Sequence, residues 1–329
     1  MKAIVVDRPG PPEVLQIRDI PTPAARPGWV LVRVKAFGLN RSEMLTRQGH
    51  SGPAVKFPRV LGIECVGVVE DASDSPLKPG QTVAAVMGGM GRDFDGGYAE
   101  HALLPAGQVM AVETRLPWQE LAAIPETYLT AWGCLVEAME VEAGQRILVR
   151  GGSSSVGMAA IALGKDLGLT VAATTRSPAK AEALRAAGAD EVIIDDGRIA
   201  AAVKRLFQEG VDGVVELVGT VTLLDSLRCA APKGFVCYAG MLGNQWALER
   251  FEPMPAIPST VRLTTYTTHT VTAANSTEPL QRIVRAVEEG RLRLHLDRVF
   301  RFGEIVQAHR YMEENRATGK LVVTVAKPG

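Results

Sequence analysis

The sequence predicts an α/β protein in which a β-rich domain accompanies a doubly wound parallel sheet, and three observations carry that prediction. The first third of the chain breaks into short segments separated by turn clusters. From Gln145 onward, short apolar runs alternate with helical stretches. One of those runs enters a glycine- and serine-rich loop that opens directly into a helix. At 329 residues the chain is long enough for about two domains.

In chain order, Trp29 to Gly38 alternates apolar and polar residues, as a half-buried strand does. Turn clusters at Pro9 to Pro12, Pro21 to Pro27, Ser73 to Gly80 and Gly88 to Gly97 point to a compact, barrel-like domain with short helices at most. The rhythm changes near Pro117. Six strands are then expected, at Arg146 to Gly152, Leu169 to Thr175, Glu191 to Asp195, Asp212 to Gly219, Gly234 to Gly240 and Arg262 to Thr268. Between the second and third, Pro178 suits a first helical turn and Gly188 a helix stop. Continuous apolar strands separated by helices indicate a parallel sheet covered on both faces, here the doubly wound dinucleotide fold. A helix over Pro279 to Glu289, a second helical run and a final strand KLVVTV form a tail expected to complete the first domain. The predicted boundaries are 1–123 with 270–329 for the β-rich domain and 124–269 for the dinucleotide (Rossmann) domain.

Lys plus Arg and Asp plus Glu both total 36, so no net field draws the chain to nucleic acid or lipid. No apolar run approaches the roughly 20 residues that span a membrane, and MKAIVVDRPG meets a proline before a signal peptide could form. Cys65, Cys134, Cys229 and Cys237 show no C-x-x-C spacing and read as buried thiols, and the expected compartment is the cytoplasm.

The segment ILVRGGSSSVGMAAIALGKDLG carries the sharpest chemical signal. Small residues let the backbone approach a pyrophosphate, whose charge suits free N–H groups at a helix start. Ser154 and Ser155 stand where glycines are usual, while Gly157 and Ala160 suit close packing of helix on sheet. The second strand ends in TTRSPAK, where an NAD site would place Asp or Glu for the ribose 2′-hydroxyl. Thr174, Thr175, Arg176 and Lys180 suit a 2′-phosphate instead, so NADPH is the expected cofactor.

MKAIVV, AFGLNRSEMLTRQG, FPRVLGIECVGVV, LKPGQTVAA, GGYAEH, YLTAW and DRVFRFGEIVQAHRYMEENRATGKLVV, in that order, resemble blocks of the medium-chain dehydrogenase/reductase superfamily. The likeness covers nearly the whole chain and implies a GroES-like first domain. Zinc-containing members place a cysteine where this chain has Asn40 and a histidine where it has Ile63; Glu64 alone cannot hold a catalytic zinc. No cysteine falls near Gly88 to Gly97, where that branch keeps its structural loop. The chain therefore resembles the zinc-independent, zeta-crystallin-like quinone oxidoreductases, and no metal is expected.

The resemblance implies Asn40 and Thr127 near the nicotinamide, and Ser155 and Val156, with Ser154 in the same loop, at the pyrophosphate. It further implies Thr175, Arg176 and Lys180 at the 2′-phosphate, Gly240, Met241 and Leu242 lining the cofactor cleft, and Arg316 reaching the cofactor. A family tyrosine near the 2′-phosphate corresponds to Asp195, which brings a negative charge. Expected substrates are quinones or activated enones and alkenals. Asn40 would be an amide donor, or else a cap for the helix at NRSE. His50 is the candidate proton donor. His269 is a weaker pocket candidate; His295 and His309 read as tail residues among solvated charges. An enoyl-thioester reductase and a weakly catalytic NADPH-binding protein, crystallin-like or RNA-binding, are the alternatives. A homodimer is expected, with Gly234 to Gly240 resembling the edge through which relatives dimerise.

Overall fold

The computed structural model describes residues 1–53 and 55–325. It divides into two units: Met1–Leu129 with Thr268–Gly290 and the chain from Leu296 onward, and Thr130–Thr267 with Arg291–His295.

The first unit is built on β1 (Lys2–Val6), β2 (Gln16–Asp19), β3 (Trp29–Leu39), β4 (Arg59–Val60), β5 (Glu64–Asp71), β6 (Thr82–Val86), β7 (His101–Pro105) and β8 (Val109–Ala111). The second contains β9 (Arg146–Arg150), β10 (Thr170–Thr175), β11 (Glu191–Ile194), β12 (Val211–Glu216), β13 (Ala230–Tyr238) and β14 (Arg262–Thr265). The chain then returns to the first unit as β15 (Leu296–Arg301) and β16 (Lys320–Thr324). There β16 lies between β15 and the long central strand β3, pairing Leu321 with Leu39 and Thr324 with Ala36. In β3, Val30, Val32 and Val34 at alternate positions, and Phe37 beyond a register shift between Val34 and Ala36, enter a core shared with Tyr98, Leu104 and Val323. His309, expected among solvated charges, is instead fully buried, its Nε2 3.2 Å from the Tyr98 hydroxyl. Tyr98 lies flat against Phe37, so the tail helix Ile305–Glu313 must present that histidine inward.

In the second unit all six strands pair parallel, in the order β11-β10-β9-β12-β13-β14, the doubly wound arrangement that the alternation predicts. Ile147, Leu148, Val149, Val214, Val215 and Val236 are fully buried, as a sheet covered on both faces requires. Gly234 to Gly240 does not form an edge. It lies largely in β13, one strand in, and the outer strand is β14, whose polar side chains suit an edge. The last long helix also begins earlier than expected, spanning Ala273–Glu288. Asn275 Oδ1 accepts the Thr272 N–H at 2.8 Å and starts the helix there, leaving Pro279 inside it instead of in its first turn. The four cysteines are free and buried. Among the described residues, no helix is long and apolar enough to cross a membrane.

Candidate active site

The carboxyl ends of the parallel strands gather most of the expected nucleotide contacts. After Arg150 the chain turns through Gly151, at φ +87°, into the helix Ser155–Asp166. Ser154 caps that helix, its Oγ accepting the Gly157 N–H at 3.1 Å. The N–H groups of Ser155 and Val156 at the helix start have no intrahelical acceptor and suit an anion. A Cβ on Gly157 would strike the carbonyl oxygens of Gly151 and Gly152, so only glycine allows this helix so close to the loop. Leu242 reaches the same turn: its Cδ1 would lie 3.1 Å from a Cβ on Gly151, and its N–H donates to Leu217 O. Gly240 and Met241 precede it, half-buried, and Gly240 has no room for a side chain against Leu217. At the end of β10, Thr175 is buried, Lys180 half-buried and Arg176 exposed.

Asp195 stands beside that strand end, its N–H donating to Thr175 O at 2.9 Å. Its carboxylate is not a bare charge. The fully buried Arg150 donates Nε and Nη2 to its two oxygens at 2.9 and 3.0 Å. The Gly197 N–H and the Thr174 hydroxyl add 2.8 and 3.2 Å bonds. Burial works to raise this carboxyl, but the Arg150 guanidinium and the other donors outweigh it and hold it below the usual carboxylate range. Arg150 uses Nη1 for Asp225 Oδ2 at 2.9 Å and Ser226 Oγ at 3.0 Å.

In the first unit a second polar network is buried. Lys320 Nζ, at the start of β16, lies 2.6 Å from Glu64 Oε1 and 2.7 Å from Asn40 Oδ1. Lys320 and Glu64 side chains are only 2% and 1% exposed. Asn40 Nδ2 donates to Glu64 Oε1 at 2.9 Å and to Glu43 Oε1 at 3.3 Å, while Glu43 Oε2 accepts the Asn40 N–H at 3.0 Å. Asn40 is thus the N-cap of the helix Arg41–Arg47 and a link within the network. Both amide hydrogens of Asn40, expected as a donor to cofactor or substrate, face carboxylates here. Glu64 Oε2 accepts the Glu126 N–H at 3.0 Å, and Glu126 Oε1 accepts the Thr268 hydroxyl at 3.0 Å. Gly38 makes the space: a Cβ there would meet Glu64 Oε1 and the Lys320 Cε.

Next to Glu126 on the helix Pro125–Trp132, Thr127 is 2% exposed, and among the described residues its hydroxyl has no hydrogen-bond partner. That buried, unmatched hydroxyl fits an incoming polar ligand. His50 is not part of the network; it sits exposed beyond the helix Arg41–Arg47. Nor is Arg316, which is exposed, pairs with Glu314 at 2.9 Å and lies over Tyr311. His269 Nε2 is 3.3 Å from Arg92 Nη1. Lys320, Glu43, Glu126 and Arg150 escaped the sequence reading. Only Arg150 left a signal, as a charge inside the otherwise apolar run ILVR.

Burial drives the Glu126 carboxyl up to about 8, with Glu64 adding repulsion, and burial drives Glu43 up to about 7. The folded state therefore holds protons that the unfolded chain releases above about pH 4.5. Their contribution to stability is full at lower pH and is lost as pH rises towards about 8. Glu126→Gln should flatten the decline in unfolding free energy between pH 5 and 8 relative to the parent protein. Parallel pH profiles for the two proteins would show the carboxyl to be ionised throughout.

Two family models match: an alcohol dehydrogenase GroES-like domain over residues 26–114 and a zinc-binding dehydrogenase over 187–323. Human quinone oxidoreductase is 31% identical over 249 residues, 74% of each chain. This chain is a medium-chain dehydrogenase/reductase of the quinone-oxidoreductase-like branch. It is an enzyme of that type, from a superfamily that binds a nicotinamide cofactor. Among solved structures, an NAD-dependent alcohol dehydrogenase superposes with a TM-score of 0.86 at 30% identity, covering 99% of this chain and 100% of that one. A mycobacterial protein in complex with NADPH superposes with a TM-score of 0.87 at 26% identity, covering 99% and 100%. The two structures name different cofactors.

The zinc in one model's description does not suit the residues present. Asn40 and Ile63 are not zinc ligands, and Glu64 is already paired to a buried ammonium that would repel a second cation. Among the described residues no group of three or more His, Cys, Asp or Glu could hold a metal ion.

Proposed function

We propose that this superfamily member is an NADPH-dependent reductase that passes hydride to a quinone or an activated enone or alkenal without zinc. The observation that carries the reading is the Asn40–Glu64–Lys320 network, in which a fixed ammonium lies against the acid of the usual metal-site motif. An unactivated alcohol must lose a proton as it loses hydride, and nothing in this network makes that proton acidic. A quinone or enone is already electrophilic, so orientation and a modest proton source suffice.

NADPH, when bound, supplies the hydride. The loop Ser154 to Val156 would hold its pyrophosphate, Thr175, Arg176 and Lys180 its 2′-phosphate, and Gly240 to Leu242 would line the cofactor cleft. Thr127 would offer its unmatched hydroxyl to the nicotinamide side, and Arg316 would reach the cofactor after leaving Glu314. Asn40 would position the network rather than donate. The protein would work as a homodimer in the cytoplasm.

Steady-state NADPH oxidation across quinones, alkenals, enoyl thioesters and simple alcohols tests the proposal, with metal analysis of the same sample. Turnover with quinones or alkenals, untouched by chelators, is expected. Robust oxidation of a simple alcohol, or one zinc per chain required for turnover, refutes it. In the same assay His50→Ala should change turnover by less than about twofold. A fall of roughly 10²–10⁴, the range of general acid catalysis, would restore His50 as proton donor.

A further inference from the structure

We propose that the buried Arg150–Asp195 pair is a cofactor-selectivity device: Arg150 cancels a carboxylate that would otherwise favour a ribose hydroxyl and repel a 2′-phosphate. The inference rests on the nicotinamide-binding reading of the second unit, and it assigns preference to residues outside the expected phosphate-binding set.

In doubly wound folds ligands lie beyond the carboxyl ends of the strands, and an acid near the end of the second strand accepts the ribose hydroxyl of NAD. The second strand here, β10, ends without an acid, in Thr174–Thr175–Arg176. An acid nevertheless reaches that place from the next strand over. Asp195 follows β11, its backbone N–H is bonded to Thr175 O, and its Oδ2 accepts the Thr174 hydroxyl. The same Thr174 hydroxyl accepts the Gly151 N–H at 3.1 Å, and Thr174 O accepts the Gly152 N–H at 2.9 Å. Asp195 is therefore wired to the turn before the pyrophosphate helix as well as to the strand end.

Chemistry decides what Asp195 can do there. Oδ1 accepts from Arg150 Nη2 and Gly197 N–H, and Oδ2 from Arg150 Nε and Thr174 Oγ1. With four donors in place the carboxylate has little capacity left for ribose hydroxyls. The two-pronged guanidinium contact also cancels its charge at short range, in a site where Arg150 is fully buried and Asp195 6% exposed. Arg150 also pairs with a second acid, Asp225, which accepts the Ile199 N–H at 2.8 Å and the Ala200 N–H at 3.4 Å besides. Thus Arg150 occupies and offsets an NAD-type acid, which then opposes phosphate binding at Arg176 and Lys180 less than a bare carboxylate would.

The test measures binding of NADP⁺ and NAD⁺ to the purified full chain by calorimetry, independent of turnover. Arg150→Met exposes the Asp195 charge and should lower the NADP⁺/NAD⁺ affinity ratio by about ten- to a hundredfold, the scale of one charge acting through an effective dielectric of about 20. Asp195→Asn removes one of the two carboxylates on Arg150, leaves Arg150 paired with Asp225, and should raise the ratio roughly three- to tenfold. The double variant Arg150→Met/Asp195→Asn should return it to near the parent value. A purely structural pair would weaken both cofactors together, and an unchanged ratio in the single variants overturns the proposal. Should Arg150→Met fail to fold, Asp195→Asn alone decides, since an unchanged ratio there has the same force. A parent protein that binds both cofactors equally would refute the NADPH preference proposed above, yet the shifts between variants would still report on the pair.

Discussion

Lys320→Met is expected to lower the unfolding free energy by about 3–5 kcal/mol, the usual penalty for leaving one half of a buried ion pair. The reason is local. The substitution strands Glu64 at 1% exposure and removes the cation that Asn40 Oδ1 accepts from. Removing both charges should be far milder, so Lys320→Met/Glu64→Gln ought to recover much of the loss. Gly38→Ala approaches the same network from the other side, because its new methyl would collide with Glu64 Oε1 and the Lys320 stem. Chemical denaturation of the four proteins provides the check. If Lys320→Met were as stable as the parent, the ammonium could not be holding the network together.

The next largest effect should appear in cofactor affinity. Replacing Arg176 and Lys180 together by alanine is expected to weaken NADPH by about 1.5 kcal/mol or more per lost charge-assisted contact, roughly tenfold each. Arg176 is exposed, which places its share at the low end. NADH lacks the phosphate and should bind nearly as before. Equal losses for the two cofactors would mean that these side chains support the loop and do not recognise phosphate.

The parallel sheet was legible because its inner strands are short, largely apolar runs, and burial on both faces leaves little else that such a run can be. Strand ends were less so. The sequence reading starts β13 at Gly234, whereas the strand begins at Ala230; Ala-Ala-Pro-Lys carries no strand signal, and Lys233 has φ +65°. The turn from β9 into the helix Ser155–Asp166 was legible because its pattern is local, with strand, small residues and helix start contiguous. The buried charges were not. Lys320 opens a strand in which a lysine reads as solvated, and its partner Glu64 lies 256 positions away. Nothing nearby in sequence says that the two will share an apolar interior. In the sequence Asp195 stands as a bare negative charge, and only the fold brings Arg150 against it.

The return of the chain to its first unit also has a bearing on how the protein is made. A ribosome delivers β3, Asn40 and Glu64 long before β16, yet β16 is the strand that pairs with β3 and carries the ammonium for both residues. Until it arrives, the Ala36–Leu39 end of β3 lacks this neighbour and the Glu64 carboxyl lacks its counter-ion. The parallel sheet, by contrast, has all six of its strands once Thr265 has emerged. Nascent chains arrested before Lys320 should accordingly protect the dinucleotide unit from protease while the β-rich unit is still cut, and release of the last strand should close it.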